Sequence, residues 1–154
     1  MGFSLWFPRP DTQVRVQAKI ADITLALRAE DYLKMPRATY SRPQIASIGR
    51  SEAECERDGI PFKTGKFPWI ANGKALIGGE YEGFAKVIAN TETDEIVGVH
   101  LIGPHVTDLI AEASAAMLLE ATAWELGAAV HPHPTLSEAL GEAALAIEGR
   151  AINA

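Results

Sequence analysis

Apolar residues at Val16, Ile20, Ile23 and Leu27 lie four, three and four positions apart, a stripe that predicts an amphipathic helix over 13–27. Ahead of it, residues 1–10 are aromatic and carry Pro8 and Pro10, the texture of an irregular entry. Beyond residue 31 the pattern turns regular. The runs 38–41 and 44–49 predict short strands broken by Pro43. Ser51-Glu52-Ala53-Glu54 spells a capping box that opens a short helix ending at Gly59. A strand is predicted over 61–69 and a glycine-containing connection over 71–79. Residues 83–89 and 95–102 flank the polar stretch Asn90-Thr-Glu-Thr-Asp94, which predicts a β-hairpin. Helices follow over 107–120 and 123–129, and Pro134 and Thr135 open a last one running to about residue 147. Strands that come as antiparallel neighbours, with helices gathered around them, give an α+β class: a small antiparallel sheet packed with helices.

Composition narrows what such a domain does. The chain is 47% hydrophobic and 22% charged, with a net charge of −6. A phosphate backbone needs a basic face, so nucleic acid is excluded as a partner. No run approaches the ~18 apolar residues of a membrane span, and the start lacks the basic region and cleavage site of a secretory signal. The single cysteine, Cys55, rules out an internal disulfide and a CxxC motif. A reduced, cytoplasmic protein is the expectation.

Several motifs fail on inspection. Gly59 to Lys66 resembles a phosphate loop, but five residues separate its glycines and Phe67 stands where a metal-binding hydroxyl belongs. No GxGxxG follows a strand, so no dinucleotide site is expected. Gly78-Gly79 reads as a turn. His131 and His133 lack a third metal ligand nearby, so no metal is expected. Cys55, in a short charged helix, reads as an inert thiol. His100 falls mid-strand as a structural histidine, and His105 sits at a loop or helix start.

One stretch carries chemistry: His131-Pro-His133-Pro134-Thr135-Leu-Ser-Glu138. An imidazole stands just before a helix and a carboxylate stands in that helix's first turn. The carboxylate can accept from one ring nitrogen and fix the tautomer, leaving the other nitrogen outward as a general base. Pro134 also permits a cis bond at modest cost. Yet Thr135 to Glu138 equally spells a capping box, in which Glu138 only satisfies backbone donors. Spacing alone leaves both readings open.

The pattern His-x-His-Pro-Thr-x-x-Glu resembles the signature of the dimerisation domain of pyridine nucleotide–disulfide oxidoreductases, in wording nearest to dihydrolipoamide dehydrogenases. Asp31-Tyr-Leu-Lys-Met-Pro36, Thr39-Tyr-Ser-Arg-Pro43-Gln-Ile-Ala-Ser-Ile-Gly49, Gly83-Phe-Ala-Lys-Val87, Gly98-Val-His-Leu-Ile-Gly-Pro104 and Asp108-Leu-Ile-Ala-Glu-Ala113 resemble the same domain, in the same order. The resemblance runs from about residue 31 to the end. It implies a domain over 31–154 that forms a homodimer, in which His133, oriented by Glu138, serves as acid–base catalyst for the partner's disulfide. His131, Pro134 and Thr135 would support the pair. The His133–Pro134 bond is implied to be cis, with the His133 backbone near the partner's flavin.

The FAD and NAD of that family bind in domains whose glycine-rich motifs and CxxxxC pair are absent from these residues, so no cofactor is expected on this chain. Residues 1–30 do not resemble the family. They are expected to form a separate segment, in part helical, that covers surface which further domains would hide, and a lone domain, a shortened gene and a shifted frame are all consistent with it. The helix over 107–120 bears apolar residues on more than one face and several alanines, which suits both a buried central helix and one shared with a second copy. Three functional readings stay open: an interface domain inactive by itself, a subunit completing a separately encoded flavoprotein, and a small independent enzyme using His133 as base.

Overall fold

The computed structural model describes residues 18–20, 23–25 and 29–153. The chain divides into two compact units, 1–33 and 34–154. Within the first, β1 (Ala18–Ile20) pairs antiparallel with β2 (Ile23–Leu25). The helix expected over 13–27 is therefore corrected at these positions, where Ile20, Ile23 and Thr24 are β-branched and suit a strand better than a helix. The rest of that expected helix lies outside the described residues. A 3₁₀ turn, Ala29–Lys34, follows.

The second unit is built on a five-stranded antiparallel sheet. Its strands are β3 (Arg37–Thr39), β4 (Gln44–Gly49), β5 (Phe62–Pro68), β6 (Phe84–Asn90) and β7 (Ile96–Gly103), in the order β3-β4-β7-β6-β5. Five helices accompany it: α1 (Glu52–Asp58), α2 (Gly73–Gly78), α3 (Val106–Leu118), α4 (Ala123–Ala128) and α5 (Glu138–Ala146). The α+β expectation holds. The predicted hairpin is β6–β7, with a register shift at Ile88/Ala89.

Alternation decides which sheet face is buried. Register places Ala46 opposite Leu101, Ile48 opposite Val99, Val87 opposite Val99 and Phe67 opposite Ala85, and all of these are buried. Period two puts them on one face, which α3 covers over β4 and β7 and α5 covers over β5 and β6. Thr64 and Lys86 belong to the opposite face, and Glu52 of α1 joins them there, accepting from Thr64 Oγ1 at 3.1 Å and Lys86 Nζ at 2.6 Å.

Close approach of α5 to the sheet depends on Gly65. A Cβ at that buried position would overlap the Ala143 carbonyl oxygen and stand 2.7 Å from the Ile147 nitrogen. Strand and helix touch there backbone to backbone.

The capping box at α1 forms as the sequence implies, with Glu54 N–H donating to Ser51 Oγ and Ser51 N–H donating to Glu54, and Gly59 closing the helix in the left-handed region. The phosphate-loop lookalike is the C-cap of α1 at Gly59 followed by strand β5 from Phe62. The connection expected over 71–79 is instead helix α2, because Asn72 caps it by accepting from Ala75 N–H. Gly79, not a Gly78–Gly79 turn, ends it with φ 74°. The helix expected from Pro134 begins only at Glu138.

Cys55 is fully buried, and burial pushes its thiol above the usual range. Only thiolate is a competent nucleophile. The folded protein should therefore show no reaction with an aromatic disulfide reagent over minutes, and the unfolded chain should release one equivalent; titration of the native thiol at the free-cysteine rate would contradict this. Among the described residues, no helix is long and apolar enough to cross a membrane.

Candidate active site

The loop between α4 and α5 carries the motif. Its backbone leaves α4 at Ala129, with φ −62° and ψ 132°, and runs irregularly through His131 and His133 before α5 starts. The His133–Pro134 peptide is cis, as is Arg42–Pro43, which the sequence reading did not foresee. Thr135 Oγ1 pairs with Ser137 Oγ at 2.9 Å rather than with a helix amide. The first turn of α5 is instead closed by i to i+3 bonds, Ala139 N–H to Leu136 O and Leu140 N–H to Ser137 O, which is why the helix starts late.

Glu138 bonds both to the imidazole and to a backbone donor, one oxygen for each. Its Oε2 accepts from Thr135 N–H at 2.7 Å. Its Oε1 lies 2.8 Å from His133 Nδ1. Burial pushes the Glu138 carboxyl upward, but the hydrogen bonds from Thr135 N–H and His133, with the charge of the nearby imidazoles, outweigh it and hold the group below the ordinary carboxylate range. An ionised carboxylate only accepts, so Nδ1 of His133 carries the proton and Nε2 of the neutral ring has a free lone pair. The His133 side chain is 76% exposed while Glu138 is 23% exposed. The pair is an anchored carboxylate behind an accessible imidazole, an arrangement able to accept a proton at Nε2.

Glu138 also sets a pH dependence. A carboxyl whose native value is depressed contributes stability in full above its unfolded value, about 4.3, and loses that contribution as pH falls through the native value. Thermal unfolding of the wild type and of Glu138→Gln should differ from pH 7 down to about 5 and converge in acid. A gap that stays constant from pH 7 into acid, below the native value of Glu138, would refute the assignment.

Two neighbours hold the loop from behind. His131 Nε2 lies 2.6 Å from Glu112 Oε1 on α3, and its side chain is only 12% exposed. Its ring lies against Gly141 of α5, where a Cβ would come within 3.2 Å of the imidazole. Asn72, buried at the head of α2, donates from Nδ2 to Thr135 O at 3.1 Å while its Oδ1 caps Ala75. The structure thus brings together His131, His133, Pro134, Thr135 and Glu138, and adds Glu112, Asn72 and Gly141, which sequence reasoning missed. Asn72-Gly73 after an apolar run was a visible helix-start signal; nothing local marks Glu112, nineteen residues away.

His100 is structural, its Nε2 hydrogen-bonded with Arg50 O at 2.9 Å. His105 is exposed at the start of α3, with φ 51°. Among the described residues, no group of three or more histidine, cysteine or acidic side chains is placed to hold a metal. The sheet is antiparallel throughout and contains no βαβ unit, so the described fold does not fit a dinucleotide pyrophosphate, which needs a glycine-rich turn between a parallel strand and a helix.

Residues 35–144 match the family described as pyridine nucleotide-disulphide oxidoreductase, dimerisation domain. The chain belongs to this family. It is a dimerisation domain of the dihydrolipoamide dehydrogenase kind. It is 56% identical over 119 residues to dihydrolipoyl dehydrogenase of Bacillus subtilis, covering 77% of this chain and 25% of that protein. Dihydrolipoyl dehydrogenase 3 of Pseudomonas putida is 47% identical over 122 residues, covering 79% and 26%. The mitochondrial dihydrolipoyl dehydrogenase of Caenorhabditis elegans is 45% identical over 124 residues, covering 80% and 25%. The chain therefore spans about a quarter of the length of these relatives. Among solved structures, the fold matches LpdA of Mycobacterium tuberculosis with a TM-score of 0.71 at 23% identity, over 80% of this chain and 26% of that one. It also matches the HOCl-induced flavoprotein disulfide reductase RclA of Escherichia coli, with a TM-score of 0.72 at 19% identity, over 77% and 27%.

Within this dimerisation domain, α3 turns Val106, Ile110, Ala113 and Met117 into the core. Ala111 and Ala115 are exposed on its other side, with Leu118 at 68% and Leu119 at 79%. The helix is thus not buried all round, and it leaves an apolar face with two small residues uncovered.

Proposed function

We propose that this domain forms a homodimer and contributes His133 and Glu138 as an acid–base pair to a dihydrolipoamide-type disulfide exchange on the partner subunit. The observation that carries the reading is the His133–Glu138 pair itself: Nδ1 engaged, Nε2 free, ring exposed. In the exchange, Nε2 takes the proton of a dihydrolipoamide thiol, and the resulting thiolate attacks one sulfur of a disulfide. A new S–S bond forms, and the thiolate that leaves is reprotonated from the imidazolium. Glu138 stays ionised and neutralises the imidazolium while it exists. A flavin would sit in the partner subunit's other domains, with the His133 backbone alone facing it from this chain; FAD and NAD supply the onward redox chemistry there.

The test is a graft. Residues 35–153 replace the matching stretch of the Bacillus subtilis enzyme, and lipoamide turnover is measured; activity within tenfold of the parent supports the reading, and a folded, flavin-loaded, inactive graft sinks it. The same chain added in trans to a flavoprotein lacking this domain tests the second reading, that of a completing subunit.

Pairing of two copies through the uncovered face of α3 follows from the same proposal, since small residues allow close helix approach and two-fold pairing is the commonest oligomer. Light scattering at micromolar concentration should give twice the chain's 16.6 kDa, and Ala115→Arg should return the mass to one chain. A monomer mass for the unmodified protein would count against the dimer.

A further inference from the structure

The Glu112–His131 hydrogen bond joins two features that otherwise look independent. Glu112 lies on α3 beside the uncovered face, one residue from Ala111 and three from Ala115, and its side chain is one-third exposed. His131 lies two residues before His133, with its ring filling the space that Gly141 leaves on α5. Gly141 is three residues after Glu138, so the same helix face supports both imidazoles. We infer that Glu112 is a positioning residue: through His131 it transmits the state of the α3 face to the His133–Glu138 pair, so that covering that face with a second copy tightens the site.

The physics is that of a partly exposed ion–dipole contact placed under a partner. While the face is open, water competes for the Glu112 carboxylate. Once a second helix covers Ala111 and Ala115, the carboxylate loses competing water and its bond to Nε2–H of His131 strengthens in the lower dielectric. His131 is then held harder against Gly141. The short loop that follows, tethered at Thr135 by Asn72 and Glu138, has less freedom to let His133 leave Oε1. The inference rests on the acid–base and dimer readings above, and adds that the two are coupled through one named side chain.

The experiment reads the tautomer of His133 directly, in the full chain, by long-range nitrogen–proton correlation spectra at about pH 8, above the ordinary histidine range. In the wild type, His133 should be mainly the Nδ1–H form, and that fraction should fall on dilution through the dimer–monomer transition. Glu112→Ala should lower the Nδ1–H to Nε2–H ratio of His133 by roughly threefold, part of what one lost hydrogen bond is worth, and should abolish the dependence on dilution. Glu112→Gln keeps an acceptor for His131 and should restore most of the ratio, which a merely structural disturbance would not do. His131→Gln, an independent variant should Glu112→Ala fail to fold, should lower the ratio as well. An unchanged His133 ratio in Glu112→Ala, with the spectrum of His131 altered, overturns the coupling and leaves the acid–base reading standing. A wild-type His133 without an Nδ1–H preference overturns both.

Discussion

Replacing His133 by alanine in the grafted enzyme should lower lipoamide turnover by about 10²- to 10⁴-fold, the contribution of a positioned general base. The fold should hardly notice. His133 is exposed, and among the described residues its one hydrogen bond is to a carboxylate that keeps a second partner, so the melting temperature should move by no more than a degree or two. Kinetic loss without loss of stability is the signature that separates a catalytic histidine from a loop residue.

Glu138→Gln should behave differently. The glutamine has one acceptor oxygen where the glutamate has two, so it serves either His133 Nδ1–H or Thr135 N–H but not both. A smaller fall in turnover than for His133→Ala, accompanied by a measurable drop in stability, is expected. Equal turnover in wild type and His133→Ala would remove His133 from the chemistry.

Gly65→Ala is the second large effect, and it acts on the fold. The added carbon has no room between β5 and α5, because the atoms it meets are the Ala143 carbonyl and the Ile147 amide, which belong to helix backbone and cannot rotate away. Either α5 lifts from the sheet or β5 bends. Overpacking of a tight core costs about 1–3 kcal/mol and occasionally more, and a clash with helix backbone belongs at the upper end. Thermal unfolding should fall by about 10 °C for a domain of this size. Since α5 carries Glu138, the graft with this change should lose activity in addition to stability, even at temperatures where it stays folded. A melting temperature within two degrees of wild type would mean that the contact relaxes far more easily than its geometry implies.

How far the sequence could be read depended on whether the deciding interaction was local. The spacing four, three, four recurs along the chain. In α3 it marks Val106, Ile110, Ala113 and Met117, and it forms a helix whose buried stripe is those four residues. At Val16, Ile20, Ile23 and Leu27 the same spacing spans residues that pair as β1 and β2 where they are described. Alanine-rich neighbours favour helix in the first case, and β-branched neighbours favour strand in the second. Period alone could not separate them. Helix α2 was missed because two glycines hid it, and the second bond of its cap, from Asn72 to Thr135, lies sixty-three residues on.

The site was legible where its members are close in sequence. His133 and Glu138 stand five residues apart, and the acid–base reading of the motif paired them. What local spacing could not express is that one carboxylate does two jobs, because that depends on the loop path through a late-starting helix. Glu112, placed on another helix, was invisible for the same reason.

The division of labour within Glu138 has a consequence for how such domains would drift if freed from catalysis. A copy with nothing to act on would still gain from an acceptor on Thr135 N–H ahead of α5, so folding alone would favour glutamate or glutamine at 138. His133 receives no such protection: it faces water and holds nothing in place. Across descendants, the glutamate would therefore be a poor witness to activity, and the exposed histidine an informative one. Its loss with the helix intact would mark the point at which a lineage kept the interface and gave up the chemistry.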